Sequence, residues 1–208
     1  MKKRSVLCAV AIALLSILLT GCGIRVKSTE SSAEAPNTIG TAASPVPDSE
    51  TQQPRLDSVK TLFPEADAAR VPDGFVPDGS TYSGGRFGSS FIDDAFIVLD
   101  ADGSEIGAVV IVRNRDAYNP PLVLAVGIET GGTVRGIVFI ELNETPGKGT
   151  VADEPAFKDQ FCGRTADAFV LNGDGEDGID AISGATSTSK AVLNAVNAAL
   201  DFSRGAIR

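Results

Sequence analysis

Two short segments hold the residue types from which a binding site can be built. Glu144-Thr145-Pro146-Gly147-Lys148-Gly149 puts a carboxylate, a hydroxyl and an ammonium on a loop stiffened by proline and loosened by two glycines. Asp180-Ala181-Ile182-Ser183-Gly184-Ala185-Thr186 runs directly into the best helical pattern of the chain, Ser187 to Ser203. A helix N-terminus offers unpaired N–H groups and partial positive charge, which suits a phosphate. Thr186 stands where that helix begins, Gly184 lets the backbone approach closely, and Ser187, Thr188 and Ser189 add hydroxyl donors. Taken singly, each segment has a plainer reading, since Thr-Pro-Gly is ordinary turn chemistry and threonine an ordinary helix cap. A third segment, Asn172 to Asp180, imitates a calcium loop. Counted from Asn172, however, the required glycine is Asp177 and the closing glutamate is Ser183, so no metal site is expected.

Composition removes other chemistries. Without a histidine the chain has no Ser-His-Asp triad, HExxH zinc site or histidine-ligated haem, and three cysteines cannot supply four thiolates. Eighteen basic against 27 acidic residues, net −9, disfavour nucleic acid as a partner.

The elements that must position the two segments are legible as runs. Phe96–Leu99 and Ile106–Val112 flank Asp102-Gly103, and Leu122–Ile128 and Val134–Leu142 flank Gly131-Gly132, which predicts two β-hairpins. Their long apolar runs suit strands covered on both faces. Asp57 is placed to cap a short helix, Ser58 to Leu62, ended by Pro64, and Glu154 to Phe161 reads as another. In the helix from Ser187, Val192, Val196, Ala199 and Leu200 share one face. Lys190, Asn194, Asn197, Asp201 and Arg204 share the other, and Gly205 can end it. The expectation is an α+β domain of antiparallel hairpins packed with helices. Residues 71–91, rich in Gly, Pro and Ser, are left unassigned.

Ahead of this domain the chain changes character. Lys2, Lys3 and Arg4 precede an apolar run from Val6 to Leu19, shorter than the ~20 residues of a membrane-spanning helix. Leu19-Thr20-Gly21-Cys22 resembles the lipobox of bacterial lipoproteins, which implies cleavage after residue 21 and diacylation of Cys22. Two acyl chains anchor stably where one is marginal; the competing reading is an uncleaved transmembrane anchor. Loss of three positive charges with residues 1–21 leaves 15 basic and 27 acidic residues, net −12, and Cys162 as the one free thiol. From Ser28 to Pro54, 18 of 27 residues are Ser, Thr, Pro, Ala or Gly. That composition reads as a flexible tether spanning roughly 30 Å. The expected organisation is a signal peptide over 1–21, a lipidated cysteine and linker over 22–55, and a folded domain over 56–208.

Taken in order, the two site segments resemble the FMN-binding domain found in the G component of the Rnf ion-translocating oxidoreductase and in the C component of the sodium-pumping NADH:quinone reductase. That family's motif D-x-x-[ST]-G-A-T is matched by Asp180, Ser183, Gly184, Ala185 and Thr186. Its ETPGLG motif is matched by Glu144 to Gly149, with Lys148 where leucine is usual. The resemblance includes Tyr118 to Glu141 and covers most of residues 95–203. It implies FMN joined through its phosphate to the Thr186 hydroxyl by a magnesium-dependent flavin transferase that uses FAD and releases AMP. Covalent attachment suits a place where a dissociated flavin is diluted beyond recovery. Glu144 to Gly149 becomes the second wall of the flavin pocket, its glycines turning backbone N–H groups to the ring. Lys148 either raises the reduction potential by favouring the anionic reduced form or points to solvent. The flavin does the chemistry, so no acid, base or nucleophile of the chain is required.

The implied role is electron relay at the extracytoplasmic face of a membrane, with membrane electron-transfer proteins or a surface reductase as partners. The lipobox and tether tilt this towards a free-standing carrier rather than one member of an Rnf-type complex. A ligand-binding lipoprotein without redox function is the reading from another class.

Overall fold

The computed structural model describes residues 49–77, 81–82 and 85–206, all within the compact unit Pro45–Arg208. The signal segment, Cys22 and the tether as far as residue 48 lie outside the described residues.

Four strands follow one another as an antiparallel meander: β3 (Ser90–Leu99), β4 (Glu105–Asn114), β5 (Leu122–Glu129) and β6 (Val134–Leu142). Both hairpins expected from Asp102-Gly103 and Gly131-Gly132 are present, with Val110 opposite Val126 in the central pair. Two short strands, β1 (Ala68–Arg70) and β2 (Thr81–Tyr82), pair with opposite ends of β3 along the same edge. β2 and the first residues of β3 fall in the stretch left unassigned, 71–91.

Period-two alternation sends each central strand into two cores. Val110, Val112, Leu122, Leu124 and Val126 face one side, where α3 (Thr186–Ala206) packs. Val109, Ile111, Val123 and Ala125 face the other, where α1 (Ser49–Leu62) packs. Burial of both faces explains why these strands are apolar without a break.

The first helix differs from expectation: it starts at Ser49, inside the stretch read as tether, with Pro54 in its second turn. A proline so near the N-terminus removes only one early hydrogen bond. What holds the helix lies in the sheet. Leu62 and Phe63 lie over Gly107, Gly127 and Gly136, where a Cβ would stand 2.6–3.3 Å from their atoms. At the other end, Arg55 donates to Asp94 at 2.8 Å and lies 3.8 Å from Asp93. Asp93 also takes the Nε and Nη2 of Arg113 at 2.8–3.1 Å. These aspartates sit at a bulge in β3, between Ile92 and Asp94 in the register. Burial raises the Asp94 carboxyl above its ordinary range against the pull of Arg55, while the Asp93 hydrogen bond raises Arg113. The Arg55 Nε is buried without a partner.

The helix expected over Glu154–Phe161 is present as a single turn, α2 (Pro155–Lys158), and a 3-10 turn, Gly149–Asp153, precedes it. The segment Asn172–Asp180 turns between the strands of a small parallel pair, β7 (Val170–Leu171) and β8 (Gly178–Ile179), and contains the second of them. In α3 one assignment is corrected. Asn197 is buried, its side-chain amide accepting from Phe169 N at 2.8 Å and donating to Phe169 O at 2.9 Å. A buried amide satisfied on both sides occupies the core face as well as an apolar residue does. Gly205 lies within the helix, which runs on to Ala206.

Candidate functional site

Both site loops are turns of one kind. Lys148 N donates to Thr145 O at 3.1 Å across Pro146-Gly147, and Ala185 N to Ile182 O at 3.0 Å across Ser183-Gly184. Gly147 has φ +70° and Gly184 φ +74°, the left-handed value that the third residue of a type II turn needs. Gly184 is therefore required for its dihedral rather than for close approach, because a Cβ there would meet nothing within 4 Å. The glycine of close approach is Gly149, where a Cβ would lie 2.6 Å from Glu144 Cβ and Oε2.

The second turn is stapled to the helix behind it. Ser189 Oγ accepts from Ile182 N at 2.9 Å and donates to Ala185 O at 3.0 Å. Gln160, just after α2, holds Asp180 by its backbone, accepting from its N–H at 2.7 Å. Thr186 thus becomes the first residue of a 21-residue helix whose first turn carries no acidic residue. Its hydroxyl-bearing side chain is exposed, as is that of Ser187.

The two turns face each other across a cleft of about 520 Å³, lined by Glu144, Thr145, Lys148, Gly149, Gly184, Ala185, Thr186 and Ser187 together with Tyr118 and Thr188. Segments far apart in sequence therefore share one site. Ser183, Pro146 and Gly147 are not in its lining but form the turns instead, and Asp180, also outside the lining, is held by Gln160. Two expected donors are already engaged, Gly147 N by Thr150 Oγ1 at 3.0 Å and Ser189 Oγ by Ala185. Tyr118, on the β4–β5 loop, is the lining residue that motif spacing missed. Its one signal in the sequence is a large aromatic placed just before Asn119-Pro120-Pro121, where a turn rather than a core is expected.

The donor set fits a phosphate ester of a planar heterocycle. It combines unpaired helix N–H groups, two exposed hydroxyls, one lysine and an aromatic wall, in a cleft within the ~300–1,000 Å³ of small-molecule sites. Fold and site together define an α+β domain with an anion-accepting cleft at a helix N-terminus. In comparison with known proteins, residues 117–201 match the family described as FMN-binding domain, so the resemblance drawn from the two motifs is borne out. The chain is 36% identical, over 47% of its length and 49% of the relative's, to the G component of the Na(+)-translocating ferredoxin:NAD(+) oxidoreductase complex of Acetobacterium woodii. It is 33% identical, over 46% of its length and 42% of the relative's, to the C component of the Na(+)-translocating NADH-quinone reductase of Vibrio anguillarum. It spans about half the length of the curated relatives it matches. Among solved structures, the crystal structure of Shewanella oneidensis NqrC aligns over 66% of this chain and 80% of that one, at 20% identity and a TM-score of 0.47. Among the described residues no helix is long and apolar enough to cross a membrane.

Proposed function

We propose that this chain carries FMN bonded through its phosphate to Thr186 and relays electrons at the extracytoplasmic face of a membrane, held there by a diacylated Cys22. The observation that carries the reading is the meeting of both motifs in one cleft, with an exposed Thr186 hydroxyl at the start of α3. Exposure leaves the hydroxyl open to an exported flavin transferase. The Thr186 Oγ–phosphorus bond then forms as the bond between the two phosphates of FAD breaks, AMP departs and the hydroxyl proton passes to the transferase. The FMN, when bound, supplies reversible two-electron chemistry. Thr186 fixes the phosphate end, the N–H groups of the first turn of α3 balance its charge, and Lys148 places an ammonium on the opposite wall.

The test is co-expression with an exported flavin transferase. The mature protein gains the mass of FMN less one water and fluoresces on a denaturing gel; Thr186→Val loses both while its melting temperature is unchanged. A fluorescent band that survives in Thr186→Val refutes the attachment site.

A second reading, membership of an Rnf-type complex, is favoured by the relatives, whose names are those of components of such complexes. Cys22→Ser separates the two. Release from washed membranes supports the free-standing lipoprotein, and retention supports anchoring within a complex or by the apolar run.

A further inference from the structure

Tyr118 is 70% exposed, yet the backbone on either side of it is fixed. On the N-terminal side, Asp116 N donates to Asn114 Oδ1 at 2.8 Å, Asp116 Oδ2 accepts from Ser89 N at 2.7 Å, and Ala117 is buried in the core. On the other side, Asn119 N donates to Glu144 Oε1 at 3.2 Å. Glu144 is itself buried, packed into the space left by the missing side chain of Gly149. One buried carboxylate thus ties the β4–β5 loop to the Glu144–Gly149 loop. A large aromatic held on a fixed backbone, with its ring in solvent at the wall of a cleft, is a contact surface awaiting a partner.

We infer that Tyr118 is the aromatic face on which the isoalloxazine ring rests, and that Glu144 is the positioning residue that holds it there. The inference rests on the covalent-FMN reading and adds the side chain that meets the ring.

A phenol in contact with a flavin quenches its fluorescence by lending an electron to the excited ring and taking it back, with no net change; a phenylalanine ring is too hard to oxidise to do so. The chain has two tyrosines and no tryptophan, which makes the effect assignable. In protein loaded from FAD by the transferase and verified by mass, Tyr118→Phe raises emission per bound FMN severalfold, and Tyr82→Phe leaves it unchanged. Glu144→Ala raises it as well, whereas Glu144→Gln, which keeps an acceptor for Asn119, does not. Unchanged emission in Tyr118→Phe, with FMN on Thr186, overturns the inference and leaves covalent attachment standing. Unloaded wild-type protein after exposure to the transferase overturns both. Wild-type protein gives an independent measurement: tetranitromethane nitrates Tyr118 in the FMN-free chain, and FMN on Thr186 protects it. Equal nitration of the two forms overturns the inference.

Discussion

Arg55→Leu tests what fastens α1 to the sheet. In the native fold Arg55 spans two buried aspartates, hydrogen-bonded to Asp94 at 2.8 Å and 3.8 Å from Asp93, with 16% of its side chain exposed. Leucine keeps much of the apolar volume and removes the charge, leaving Asp94 without its cation while Asp93 retains Arg113. Breaking a buried pair from one side costs ~3–5 kcal/mol, and the residual exposure of Arg55 places this variant at the lower end, about 3 kcal/mol at pH 7. At ~2–4 °C per kcal/mol for a domain of this size, the melting temperature falls by about 6–12 °C. The dependence on pH has a fixed sign. Burial already holds the Asp94 carboxyl above its ordinary value of 3.8, and removal of Arg55 raises it further. Between that ordinary value and the raised one, the folded variant binds more protons than the unfolded chain. The variant therefore keeps its stability below the ordinary value and loses it as pH rises through the raised one. Urea unfolding at pH 4 and pH 7 reads the difference directly, and Arg55→Leu with Asp94→Leu recovers most of the pH 7 loss. A deficit of the same size at both pH values, or one below about 1 kcal/mol, refutes the assignment of a buried, charged Asp94.

Two further outcomes concern the cleft. Lys148→Leu lowers the midpoint potential of the loaded protein: at ~5 Å and an effective dielectric of about 20 the charges interact by roughly 3 kcal/mol, and a third of that after screening is about 20 mV for two electrons. Spectroelectrochemical titration in low salt checks this, and equal midpoints mean that Lys148 faces solvent. Gly149→Ala forces a Cβ to within 2.6 Å of Glu144. It costs ~1–3 kcal/mol by overpacking, read as a lower urea midpoint, and an unchanged midpoint refutes the packing of Glu144 against Gly149.

The meander is legible in the sequence because its signals are local. Asp102-Gly103 and Gly131-Gly132 mark turns, and the apolar runs between them are long enough to be strands. The start of α1 is not legible, because Pro54 and a polar first turn argue against a helix that Arg55, Val59, Leu62 and the adjoining Phe63 secure against the sheet. Asp93 and Asp94 interrupt an apolar strand, so β3 reads as beginning at Phe96, six residues after its actual start at Ser90; the arginines that neutralise them come from other elements. In the site, the two motifs are visible as motifs. The place of Tyr118 in the lining is not, since it depends on which loops the fold brings together. Asn197 misleads for the same reason: an amide looks solvent-facing until the backbone it satisfies is known.

The order in which the cleft's walls are made has a consequence for when the protein can be modified. The Tyr118 loop and the Glu144–Gly149 loop lie at one end of the meander and come from strands that pair with their chain neighbours, contacts of low sequence separation that close early. The remaining wall, the start of α3, follows all four strands of the meander in sequence and packs back on β3 and β4 across almost the whole domain. Thr186 thus has its helical N–H groups in place, opposite Lys148, only in the completed fold. On the proposed attachment at Thr186, the acceptor is a conformation rather than a sequence, and loading with flavin would report that folding has finished.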